Sequence, residues 1–149
     1  MKKFRFRLDK VLQLRARLER EQAGVLGRAL HDEETRRKAL EEACAHLDRC
    51  GEQISERTNG IVEAGTLRNL GLAVKAAAGG VQDAEDEHRA AEVSVQEEQE
   101  KFSLARMERR IVERLKERRR EAWNVEATRE EQRECDGVAA QRHTREQGT

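Results

Sequence analysis

The chain has 149 residues, 40% of them charged and 3% aromatic, with no proline and with basic and acidic side chains balanced at 30 each. So few large apolar residues exclude an ordinary globular core. A two-helix seam buries only two positions in seven and suits a chain dominated by Ala, Glu, Lys, Leu and Arg. There is no run long and apolar enough for a transmembrane helix and no apolar stretch near Met1 for a signal peptide, and three scattered cysteines (Cys44, Cys50, Cys135) fit a reducing cytosol better than a disulfide framework.

Met1 to Lys3 is a short basic lead-in. From Phe4 the spacing predicts a helix to about Arg57, roughly 80 Å long at 1.5 Å per residue. Two apolar series run along it: Phe4, Leu8, Val11, Leu18, Val25 and Ala29, and beside them Leu12, Leu26, Leu40, Leu47 and Ile54. Glu33 occupies the missing step of the second series, so the seam is expected to shift by about one residue and weaken between Asp32 and Lys38.

Thr58-Asn59-Gly60 supplies the strongest turn signal, because Asn-Gly tolerates positive φ. Thr66 can cap the next helix through its hydroxyl. That helix is expected from about Leu67 to about Arg142, with a soft or kinked stretch at Gly79-Gly80 and a frayed tail from about Ala140. Its seam is the clearest pattern in the chain. Leu67, Val74, Val81, His88, Val95 and Phe102 recur every seven residues, and so do Leu70, Ala77, Ala84, Ala91, Glu98, Ala105 and Val112. The two series alternate at steps of three and four, which is the signature of a coiled coil. Ile111, Leu115, Ala122 and Val125 extend the pattern more thinly.

The expected fold is therefore all-α, two long helices forming an antiparallel coiled-coil hairpin in a single elongated domain. Folding about a turn near residue 62 sets residue i of the first helix opposite residue 124 − i of the second. That pairing crowds Arg5, Arg7, Lys10, Arg15, Arg17 and Arg20 beside Arg106, Arg109, Arg110, Arg114, Lys116, Arg118, Arg119 and Arg120, so the end carrying the termini is basic. Such a surface is either a solvated face or a docking surface for an acidic partner. Nucleic acid is not expected: there is no recognised motif, no interleaved aromatics and no net positive charge.

No catalytic constellation or cofactor motif is present in the sequence, and none is expected. Gly79-Gly80 lacks the lysine and the preceding strand of a phosphate loop. Cys44 and Cys50 point to different sides of a helix and read as small seam fillers rather than metal ligands. His88 and Glu98 sit at seam positions and read as polar register devices. Trp123 reads equally as seam packing or as an exposed anchor for a partner.

The opening Phe4-Arg5-Phe6-Arg7-Leu8-Asp9-Lys10-Val11-Leu12-Gln13-Leu14-Arg15 resembles the N-terminal signature of the flagellar export protein FliJ family. Asn59-Gly60-Ile61 falls where that family turns, and Arg133 to Arg142 looks like its C-terminal helix, although Asp136 is followed by Gly137 where the family has an acidic pair. The resemblance covers nearly the whole chain. It implies a non-enzymatic cytoplasmic component of the flagellar type III export apparatus, a coiled-coil stalk like that of rotary ATPases. The expected partners are the hexameric export ATPase, the cytosolic domain of the export gate and export chaperones, with peripheral attachment at the inner membrane and no direct membrane insertion. The equivalent proteins of virulence secretion systems look alike. The basic end suits insertion into an ATPase ring, with Arg5, Arg7, Arg15, Arg109, Arg110, Arg118, Arg119 and Trp123 as contact candidates. Leu67, Leu70, Leu72 and Val74 are gate-contact candidates, or else ordinary seam. The free protein is expected to be monomeric; the rival reading is a self-associating structural coiled coil with no transport role.

Overall fold

The computed structural model describes residues 3–147; Met1 and Lys2 of the basic lead-in, and Gly148 and Thr149, lie outside them. Two helices account for nearly all of it: α1, Asp9–Arg57, and α2, Ala64–Gln147. Among the described residues there is no strand. Packing divides the chain into two units. In the terminal unit, residues 3–19 lie against α2 from residue 104 onward; in the turn unit, residues 20–103 fold back on themselves. Within each unit α1 and α2 segments run antiparallel, which makes the chain the expected all-α hairpin. Partners fall within about a helical turn of the 124 − i relation: Asp9 with Lys116, Arg15 with Glu108, Glu33 with His88 and Arg36 with Glu87.

One unbroken series of covered positions on α2 follows steps of four and three. In the turn unit they are Leu70, Val74, Ala77, Val81, Ala84, His88, Ala91, Val95, Glu98 and Phe102. In the terminal unit the same steps reach Ala105, Arg109, Val112 and Lys116. Ala77 and Ala91 are the most buried, because a methyl side chain lets the backbones approach closely. Leu67, expected in this seam, is 47% exposed, and so are Ile111 and Val125 to a similar or greater degree.

On α1 the expected one-residue shift does not occur. Leu12, Arg15, Glu19, Gln22, Leu26, Ala29, Glu33, Arg36, Leu40, Ala43, Leu47, Cys50 and Ile54 form one unbroken covered series, again at steps of three and four, with Val25 of the first apolar series half-buried beside it. Leu8, Val11 and Leu18, members of the first apolar series, are exposed. Underwinding to 3.5 residues per turn holds a heptad in register over any length, so no drift needs correcting. The pattern looked broken because charged residues occupy true seam positions.

Three boundaries, the starts of both helices and the end of α2, differ from expectation, while α1 ends at Arg57 as expected. α1 starts at Asp9, not Phe4: the Phe6 carbonyl accepts from the Asp9 N–H at 3.2 Å and the Leu8 carbonyl from Leu12 at 2.9 Å. Before that the chain is irregular. Phe4-Arg5-Phe6-Arg7 alternates, and only a non-helical backbone sends residues i and i+2 the same way. Asn59 and Gly60 do lie in the turn, yet no described residue adopts positive φ. Thr58 closes α1 instead, its N–H and hydroxyl both donating to the Ile54 carbonyl at 2.9 Å. Glu63, not Thr66, opens α2, its carbonyl accepting from Leu67. Gly79-Gly80 lie inside one continuous helix, and α2 is helical through the tail to Gln147.

Candidate functional site

In the terminal unit the N-terminal segment clamps onto α2. Phe6 is 9% exposed, one of the best-covered side chains in the chain. The Lys116 ammonium stands 5.9 Å from the Phe6 ring centroid and donates to Asp9 Oδ1 at 2.6 Å. Phe4 packs on Trp123 with centroids 6.1 Å apart and planes tilted by 53°, within the separation range of favourable aromatic pairs. Of the two readings of Trp123, packing is the one the geometry shows: it is half-buried against Phe4.

The bases of this unit fall into two groups. Those in the seam are spent on acids of the other helix. Arg15 donates to Glu108 at 2.5 Å. Arg109 donates to Glu19 and, at 2.6 Å, to Glu113. The Glu19 carboxylate holds the Arg109 guanidinium above its ordinary pKa, with Glu113 adding to the effect. The second group points outward. Among the described residues, Arg5, Arg7, Arg110, Arg118 and Arg119 are exposed and have no carboxylate within salt-bridge distance. Of the eight ATPase-contact candidates, then, Arg15 and Arg109 are structural, Trp123 is half-buried, and these five are available to a partner.

The turn unit carries successive polar layers in its seam. The Gln22 amide donates to Glu98 Oε2 at 2.5 Å, and Lys101 donates to Glu98 Oε1 at 2.7 Å. Lys101 first, then Gln22, holds the Glu98 carboxyl below its ordinary pKa. His88 Nε2 and Glu33 Oε1 are 2.8 Å apart, and Arg36 pairs with Glu87. Both His88 and Glu98 therefore sit at the register positions expected of them, and each meets a polar partner on α1. Glu33, His88 and Glu92 bring three ligand atoms within 4.8 Å of one another. Only Glu33 and His88 are covered; the Glu92 carboxylate is 4.0 Å from the imidazole and more than half exposed. A satisfied polar layer accounts for this trio. Of the cysteines, Cys50 fills the seam as expected, with its sulfur 3.8 Å from His46 Nε2, while Cys44 is exposed and fills nothing.

The four gate-contact candidates divide evenly. Leu70 and Val74 are half-buried seam residues, whereas Leu67 and Leu72 are exposed, Leu72 by 60%. Ile61, in the turn, is wholly exposed and was not among the candidates. An apolar residue next to Asn-Gly was its only signal.

Sequence reasoning also missed a surface. Leu14, Leu104 and Met107 were assigned to no role, and Val11, Leu18, Ile111 and Leu115 were read as seam, yet all seven are exposed. The available signal was the doubling of apolar series one residue apart on α1, since only one such series fits a two-helix seam.

Compared with known proteins, the chain matches the family described as Flagellar FliJ protein over residues 4–148. No curated protein and no solved structure matches it.

Proposed function

Because this chain belongs to the flagellar FliJ family, whose role lies in flagellar protein export, we propose that it is a non-enzymatic stalk. In this reading it connects the hexameric export ATPase with the cytosolic domain of the export gate and with export chaperones. It works in the cytoplasm and is peripheral to the inner membrane through the apparatus. One observation carries the proposal: the terminal unit spends its seam bases internally and leaves Arg5, Arg7, Arg110, Arg118 and Arg119 unpaired on its surface. Unpaired surface guanidiniums attract an acidic partner at long range and bind carboxylates bidentately on contact. Ile61, Leu67 and Leu72 give the turn unit an apolar surface suited to the gate. No helix among the described residues is long and apolar enough to cross a membrane, which fits attachment through partners.

The chain's chemistry-bearing side chains support a role without catalysis. His88 and Glu33 are committed to each other across a seam. Any effect on ATP hydrolysis is then exerted through the ring.

The test is ATP hydrolysis by the cognate export ATPase with and without this protein. Stimulation is expected, and it is expected to fall at least about tenfold for the R110E/R118E/R119E variant at unchanged helicity. Arg109 is left intact, because reversing it would break the pair with Glu19. Stimulation untouched by the triple reversal would remove the basic surface from the proposal.

A further inference from the structure

The terminal unit has an apolar face that its two helices do not cover. On α1, Val11, Leu14 and Leu18 are between 39 and 52% exposed; on α2, Leu104, Ile111 and Leu115 are between 36 and 61% exposed. Writing the observed seam as a and d positions places these six at c and g of their heptads. An antiparallel helix pair has its local two-fold axis normal to the plane of the helices, so equivalent flanks lie on the same face. The turn unit shows this directly: Asp32 of α1 and Glu87, Ala90 and Ser94 of α2, all c or g positions, line one shallow groove. The six apolar residues of the terminal unit therefore form one surface. The opposite flank is charged, with Arg106, Arg110 and Glu113.

Contiguous exposed apolar surface on a small protein marks an interaction site. The spacing identifies its shape. Val11, Leu14 and Leu18 step by three and four, and Leu104 to Leu115 spans about 16 Å at 1.5 Å per residue, or three turns of a guest helix. The rim identifies its charge. Lys10, Arg17, Arg114 and Arg118 flank the apolar strip, all exposed and none in a salt bridge among the described residues. The single acid within the strip, Glu108, is neutralised by Arg15. We infer that this face binds an acidic amphipathic helix of a partner protein as the third helix of a local bundle. A second copy is the poorer occupant, because stacking the same face on itself would set four cations against four cations.

This surface shares Arg118 with the outward bases of the proposed function but not Arg110 or Arg119, and the L14E/I111E variant leaves every base in place, so its failure is distinguishable from failure of the ring contact. The test uses the full chain and two synthetic helices of about 18 residues with identical leucine stripes, one rimmed by glutamates and the other by lysines. Binding is followed by fluorescence anisotropy. The glutamate-rimmed helix is expected to bind at least about tenfold tighter, with the gap closing as salt rises. The L14E/I111E variant is expected to lose that binding while keeping its helicity, since both residues are exposed; L14Q/I111Q serves if the first variant folds poorly. R106E/R110E, on the other flank, is expected to bind as the parent does. Equal affinity for the two peptides, or binding retained in both face variants, would overturn the proposal. So would a dimeric mass that the face variants reduce to monomer, because the second copy would then be the occupant.

Discussion

Glu33 and His88 show what a polar pair in a thin seam does. Neither is stabilising in the way a leucine would be, since each loses water and regains one hydrogen bond. What the pair supplies is alignment: sliding either helix by a heptad would leave Glu33 against Val81 or Val95 and His88 against Leu26 or Leu40. His88→Leu is expected to cost about 1–2 kcal/mol by stranding a half-covered Glu33 carboxylate, read by urea unfolding. The double change E33L/H88L is expected to recover that loss or exceed it. A single variant no less stable than the parent would show that the pair carries no structural role. Two carboxylates set the acid limit. Lys101 and Gln22 depress the Glu98 pKa, and Arg37 does the same for Glu34. Because the folded pKa values lie below the ordinary 4.5, the stability they confer is complete above that pH. It is lost as pH falls through the lower folded values. Thermal midpoints should hold steady down to about pH 4.5 and then drop. Glu98→Gln should make that drop shallower; an identical profile would exclude Glu98 from it.

At the scale of elements, the N-terminal segment is a separate device from the helices. Residues 4 to 7 forgo helical hydrogen bonds so that Phe4 and Phe6 both reach α2, one onto Trp123 and the other beneath Lys116. Burial of the rings offsets the turn of helix given up. Since Trp123 is the only tryptophan, its emission reports this clamp directly. Phe4→Ala should red-shift that emission and cost about 1 kcal/mol, the usual worth of an aromatic pair. Unchanged emission would mean that the segment is not seated in solution. α2 is continuous through Gly79-Gly80 because neighbouring layers at Ala77, Val81 and Ala84 pack against α1. Packing of that kind outweighs two glycine propensities of about 1 kcal/mol each. Beyond Ala127 the helix has no such support, and every described side chain from Thr128 to His143 is exposed.

For the molecule as a whole, the zero net charge conceals a sorting of charges. In the terminal unit, Glu108, Glu19 and Asp9 answer the seam bases Arg15, Arg109 and Lys116, and surplus bases face out. That arrangement opposes self-association through the terminal unit, because like surfaces repel. Light scattering at moderate salt should return the mass of one chain. A dimer or larger species would favour the structural coiled coil over the stalk. Both proposed surfaces of the terminal unit are built on half-covered helices with little buried area. Binding of partners should therefore stabilise the chain measurably by mass action.

The heptad on α2 was decisive on its own: an apolar pattern of that period has only one low-energy use, a seam with another helix, and the Asn59-Gly60 turn left α1 as the partner. Class, antiparallel order and approximate register followed from one dimension. The terminal arginines were equally legible as a group. What the sequence could not rank was two apolar series one residue apart on α1. Hydrophobicity favoured both, and charged residues at Glu19, Glu33 and Arg36 argued against the true one. Only tertiary pairing decided it, because a charge at a seam position is tolerable solely when the opposing residue answers it, and that residue lies some 50 to 90 positions away in the chain. The same pairing separated Arg15 and Arg109, consumed in the seam, from Arg110 and Arg118. It also turned Val11, Leu14 and Leu18 outward, since a two-helix seam has room for one stripe per helix.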